Sequence, residues 1–146
     1  MPDPSDAATQ THPEATREIV RLHDFISGWF RGEIAVDRFE AEFADALHVS
    51  FENIQPSGDV LSKADLLDPI RDAHGANPDF RISIETPQLI VEYADQIVMT
   101  YVEFQQGARN SNPENRRRST VLFERETDRL IWRHLQETGM PDVSPE

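Results

Sequence analysis

From residue 80 to residue 138 the chain reads as one extended segment after another, and this run constrains the fold more than any other feature. Phe80, Ile82 and Ile84 alternate with charged and polar residues, the period-2 signature of a strand with one buried face. Pro87 interrupts the pattern, which predicts a bulge or an edge position, with Ile90 and Val91 continuing the strand beyond it. Ala94 and Asp95 turn the chain. Residues 97–104 are apolar on both faces, so they belong in the middle of a sheet. Residues 107–115 form a polar loop, and residues 116–125 and 130–138 form a final hairpin around Thr127 and Asp128. Strands in series, with no helical stretch between them, predict a mostly antiparallel sheet.

Helices come first. Ile19, Leu22, Ile26 and Trp29, with Phe25 and Phe30 beside them, make the 3.6-residue stripe of an amphipathic helix. Thr11 and Glu14 read as its capping box, Pro13 as an early helical residue and Gly32 as its end. Asp37 and Glu40 repeat the capping pattern for a short second helix, with Phe39, Phe43 and Ala46 or Leu47 on its inner face. Leu47, Val49 and Phe51 then alternate as a first strand. Gln55 to Gly58 is a turn, and Val60 and Leu61 form a very short second strand. Ser62 caps a third helix through Asp65, with Leu66, Leu67 and Ile70 on its apolar face, and Pro69 predicts a kink or a shortened helix. The expected organisation is a disordered tail over 1–12, a single domain over 13–141 and a short tail over 142–146.

Charge narrows the partners. The chain has a formal net charge of −13, which repels phosphate backbones and anionic membrane surfaces, so neither nucleic acid nor membrane is an expected partner. No apolar run approaches the roughly 20 residues of a membrane span, and the first residues lack a secretion-signal pattern. Cysteine is absent, which removes thiol catalysis and thiolate metal sites and fits a reducing cytoplasm. The 5 histidines show no metal-ligand spacing, so no metal or cofactor is expected.

Three segments resemble the cone-shaped α+β superfamily of nuclear transport factor 2, in particular its SnoaL-like branch. They are Phe25-Ile-Ser-Gly-Trp-Phe30 at the end of the first helix, Gly58-Asp-Val-Leu-Ser-Lys-Ala-Asp-Leu-Leu67 followed by Ala73-His-Gly75, and Trp132-Arg-His-Leu-Gln-Glu-Thr-Gly-Met-Pro141. The resemblance covers roughly residues 13–141. It implies a cone-shaped barrel, a strongly curved, mostly antiparallel sheet wrapped around N-terminal helices, a pocket between the two and a homodimer. It implies no single activity, because the superfamily includes isomerases, dehydratases, hydrolases, cyclases and non-catalytic modules. Ketosteroid isomerases of this fold use a helix-borne tyrosine, whereas the first helix here carries none; no catalytic residue is carried over.

Candidate residues follow from face arguments. With a turn at Thr127-Asp128, Phe123 faces Trp132, Val121 faces His134 and Ser119 faces Gln136, while Arg118 and Glu137 face one another on the opposite side. The Trp132, His134 and Gln136 face is assigned to the pocket for its aromatic and polar mix. His134 is then a candidate general base, against the plainer reading of a partly buried histidine bonded to Gln136 or backbone. Tyr101 and Glu103 share one face of the central strand. A carboxylate in an apolar pocket would exchange protons near neutrality, and the alternative is an outward Glu103 beside an arginine. His23 and Asp24 lie beside the helical stripe and read as surface residues, and Arg116 to Arg118 as ion-pair formers. The expected ligand-binding set is Phe25, Trp29, Phe43, Tyr101, Glu103, Trp132, His134 and Gln136, and the weak catalytic candidates are His134, Glu103 and Tyr101.

Three functions compete. The first is binding of a small, mostly apolar molecule in the cone with no assigned reaction. The second is an isomerase, dehydratase or hydrolase using His134 with Glu103 or Tyr101, which requires these groups to share a face. The third is a dimeric protein-interaction module.

Overall fold

The computed structural model describes residues 10–109 and 111–141; most of the expected tails, 1–9 and 142–146, lie outside the described residues. Helix α1 (Pro13–Arg31) buries Ile19, Leu22, Phe25 and Trp29. Its cap is His12 and not Thr11: Nδ1 accepts the Ala15 N–H at 3.1 Å. A capping side chain must reach the second or third helical amide, and with Pro13 opening the helix the imidazole is the group that reaches it. Gly32 closes α1 at φ 79°, its N–H donating to the Trp29 carbonyl at 3.0 Å.

The expected second helix is fragmentary. A single α-turn, α2 (Phe39–Glu42), lies between 3-10 turns at Val36–Arg38 and Ala44–Ala46, without a side-chain cap. Phe39, Phe43, Ala46 and Leu47 are nonetheless buried. Strands β1 (Leu47–Ile54) and β2 (Val60–Ser62) follow, then α3 (Lys63–Asp72), which opens on the Ser62 and Asp65 capping box and runs through Pro69.

Four long strands complete the chain: β3 (Arg81–Glu92), β4 (Gln96–Gln106), β5 (Asn115–Glu126) and β6 (Arg129–Gly139). The sheet order is β2-β1-β6-β5-β4-β3, antiparallel except for the β1–β6 pair. Pro87 sits in edge strand β3, where the ladder slips between Glu85 and Gln88 and Thr86 takes φ 46°. The six-stranded curved sheet wraps α1. Ile19, Leu22, Phe25 and Trp29 join Met99, Tyr101, Val121, Phe123 and Trp132 in one core. Each large side chain buried there stabilises the fold by roughly 1.5–3 kcal/mol. No helix among the described residues is long and apolar enough to cross a membrane.

The last hairpin decides what faces the core. Glu126 pairs with Arg129 and Phe123 with Trp132, as the turn predicts. Beyond Trp132 the register shifts, so Leu122 pairs with His134, Val121 with Leu135 and Ser119 with Glu137. Arg133 is the extra residue of a β-bulge. Because side chains alternate with period 2, one inserted residue reverses every assignment that follows. Trp132, Leu135 and Glu137 face the concave side, and His134 and Gln136 face the convex side. The bulge also bends β6, as a sheet closing over a helix requires.

Candidate functional site

A cavity of about 220 Å³ lies between α1, α3 and the concave face of the sheet. Leu22 and Ile26 of α1, Leu66 and Ile70 of α3, Phe51 and Leu135 supply apolar wall. Of the expected ligand-binding residues, Phe43, Glu103 and Trp132 line it. Tyr101 is 1% exposed and sits behind this lining. Phe25 and Trp29 are packed into an aromatic cluster with Phe39 and Phe43, Phe25 and Phe43 being stacked at 6.0 Å, and contribute no wall. His134 and Gln136 are corrected outright: the β6 bulge turns both away from the cavity, and His134 lies on the opposite face of the sheet from Glu103 and Tyr101. The acid–base pairing proposed for His134 therefore has no geometry to act through.

The imidazole at the cavity floor is His23 instead. It is 4% exposed, and the surface placement read from the sequence is overturned. Its Nδ1 lies 2.8 Å from the Ile19 carbonyl and its Nε2 lies 3.0 Å from Glu103 Oε1. A carbonyl oxygen only accepts, so Nδ1 carries a proton and Nε2 is the atom that exchanges one with Glu103. Gln105 Nε2 donates to the other carboxylate oxygen at 2.6 Å, and the Tyr101 hydroxyl stands 3.5 Å from Nε2. Burial pulls the His23 pKa down, but the charge and hydrogen bond of Glu103, with the Ile19 carbonyl, outweigh it and leave it raised. Burial pushes Glu103 up, but His23, Arg117 and Gln105 outweigh that and hold it low. Both directions favour an imidazolium–carboxylate pair. Burial, with the charges of Glu103 and Glu137, drives the Tyr101 phenol well above its ordinary value, so it stays protonated.

A second polar group faces the same cavity. Glu137 of β6 accepts from Asn53 Nδ2 of β1 at 3.0 Å and from Arg117 of β5 at 3.1 Å. Glu137 is pushed up by burial first and by the charge of Glu103 second, with Arg117 and Asn53 pulling the other way. The floor thus holds two carboxylates and two cationic side chains, each already hydrogen-bonded, which makes it preorganised and close to electrically neutral.

The sequence carried signals for most of what it hid. His23 is four residues after Ile19 and three before Ile26, on their face of the helix. Asn53 follows Phe51 by two residues and shares its inward face. Arg117 makes an ion pair, as expected of the basic triplet, but a partly buried one with Glu137. Glu137 had no signal, since the bulge alone brings it inward.

No family model matches the chain, and no curated protein matches it in sequence. Solved structures do. The C. elegans CaMKII association domain superposes with a TM-score of 0.62 at 16% identity, over 85% of this chain and 95% of that one. A ketosteroid isomerase candidate from Shewanella frigidimarina superposes with a TM-score of 0.62 at 16% identity, over 86% of this chain and 94% of that one. At such identities the likeness is one of fold alone. An NTF-2 like protein of unknown function from Pseudomonas aeruginosa is 32% identical, with a TM-score of 0.80 over 88% of this chain and 99% of that one. With that identity across nearly the whole of the relative, this chain belongs to the nuclear transport factor 2-like family.

Proposed function

We propose that the protein binds a small, mostly apolar molecule in the cone cavity. The observation that carries this reading is a cavity of about 220 Å³, walled by Leu22, Ile26, Leu66 and Ile70, over a floor whose polar atoms already satisfy one another. Such a floor binds through shape and apolar contact. The volume lies below the ~300–1,000 Å³ of drug-sized sites, which points to a small occupant. The test is thermal unfolding with a panel of small aliphatic and aromatic alcohols and ketones. A binder at a hundred times its Kd adds about 2.7 kcal/mol. At about 2–4 °C per kcal/mol, the melting temperature rises by roughly 5–11 °C. A panel without effect counts against the reading.

A second reading is favoured by the His23–Glu103 pair at 3.0 Å. An isomerase, dehydratase or hydrolase of small hydrophobic substrates would move its proton through these two groups, His23 taking the part first given to His134. Exchange of solvent deuterium into the carbon beside the carbonyl of a bound ketone, lost in Glu103→Gln, supports it; no exchange in the native protein removes it.

Assembly as a homodimer is proposed through the convex face, where Val98, Val102, Leu122 and Ile131 lie on adjacent strands. The likeness to a CaMKII association domain supports a homo-oligomer. Light scattering at working concentration distinguishes dimer from monomer. A cytoplasmic location is proposed from the absence of cysteine.

A further inference from the structure

The inner cavity adjoins an outer depression of about 780 Å³, the two sharing Phe30, Phe80, Gln55, Gln105 and Arg117 as lining. Phe30 and Phe80 meet edge to face at 5.2 Å. The two spaces differ in chemistry. Inside, Glu103 and Glu137 are carboxylates of the wall, each engaged by a cation. Outside, two arginines, Arg109 and Arg117, line the depression and no carboxylate of the described residues does, in a chain with 27 acidic residues against 14 basic ones.

The arginines have donors to spare. Arg109 donates from one terminal nitrogen to the Ala76 carbonyl at 2.8 Å, and no carboxylate of the described residues forms an ion pair with it. Arg117 uses one terminal nitrogen on Glu137 and the other on Asn115 Oδ1 at 3.5 Å, out of the five N–H groups of a guanidinium. Arg116, the preceding residue of β5, does not line the depression and is committed to Glu85 at 2.8 Å. An anion is therefore attracted to the outer depression and disfavoured at the floor, where it would lose its hydration and find the donors already committed to Glu103 and Glu137.

Resting on the ligand-binding reading above, we propose that the ligand is an amphiphilic anion. Its apolar tail occupies the inner cavity, and its anionic head stays in the outer depression against Arg109 and the outward N–H groups of Arg117. A carboxylate and a phosphate monoester share this chemistry.

The experiment is calorimetric titration of the full chain, at low and high salt, with octanoate, octyl phosphate, octan-1-ol and octyltrimethylammonium. The proposal expects one or both anions to bind about tenfold more tightly than the alcohol at low salt. The cation should bind most weakly, and high salt should shrink the differences. Which anion binds better names the head group. Arg109→Ala, at an exposed position, should keep the melting temperature and the affinity for octan-1-ol while cutting the preference for anions to under about threefold. If the alcohol binds as tightly as the anions, or if Arg109→Ala leaves their preference intact, the head-group assignment is overturned and the apolar pocket stands. If none of the four ligands binds, the pocket reading fails, and this proposal with it.

Discussion

Replacing Glu103 tests the floor of the cavity. His23 and Glu103 have side chains only 5% and 6% exposed and meet at 3.0 Å. Glu103→Ala removes the charged partner of the buried imidazole and leaves Nε2 only the Tyr101 hydroxyl at 3.5 Å. Removing one partner of a buried ion pair costs about 3–5 kcal/mol. At about 2–4 °C per kcal/mol the melting temperature falls by roughly 6–20 °C. Glu103→Gln keeps the shape: the new amide donates to a neutral Nε2, while its carbonyl accepts from Gln105. Its cost should be about 1–2 kcal/mol. The pH dependence separates charge from shape. His23 has its pKa raised by folding, so its contribution is complete below the ordinary 6.5 and is lost as pH rises through the folded value. Glu103 has its pKa lowered, so its contribution is complete above the ordinary 4.5 and is lost as pH falls through the folded value. The pair is therefore worth most between about pH 4.5 and 6.5. Urea unfolding at a series of pH values should show the gap between the native protein and Glu103→Gln narrowing as pH rises above that window. A gap independent of pH on the alkaline side, or an Ala substitution costing under about 1 kcal/mol, refutes the shared-proton pair.

Three further outcomes are expected. Leu135→Asp, which puts a charge on the concave face, should destabilise by about 2–4 kcal/mol, whereas Gln136→Lys on the convex face should stay within about 0.5 kcal/mol; the reverse order in urea unfolding would restore the unbulged register. Gly107→Ala combines φ 73° with a methyl group 2.3 Å from the Asp79 carbonyl, so it should cost well over 1 kcal/mol, while Gly58→Ala, at φ 93° with open space around it, should cost about 1 kcal/mol by thermal unfolding. Arg125→Ala breaks a pair with Glu14 at 2.7 Å that is partly exposed, and should cost no more than about 1 kcal/mol, with the loss shrinking further in high salt.

The architecture was legible because it rests on local periods. The α1 stripe, the Pro87 bulge and the Thr127-Asp128 turn are each set by residues close in sequence; the alternation expected of Leu47, Val49 and Phe51 is broken, with Leu47 and Phe51 buried and Val49 83% exposed where β1 slips against β6. The site was less legible because it depends on how strands bend. Whether Arg133 enters the ladder is decided by closure of β6 against β1 and β5, which no local pattern records. That single residue moved His134 and Gln136 out of the candidate site and brought Leu135 and Glu137 in. His23 differs for another reason: its polarity points to the surface, whereas helical spacing sets it beside Ile19 and Ile26. Tyr101 and Glu103 lie on a strand apolar on both faces, so pattern alone did not choose between them and Val102 for the concave side.

The central claim is that the cone cavity is a ligand site, and a plugged cavity tests it most directly. Leu66 lines the inner cavity from α3, and Leu66→Trp should fill that space. Calorimetric titration of octan-1-ol into the native protein should give saturable one-to-one binding, and into folded Leu66→Trp no measurable heat of binding. Equal binding by both proteins, or none by the native one, would contradict the account.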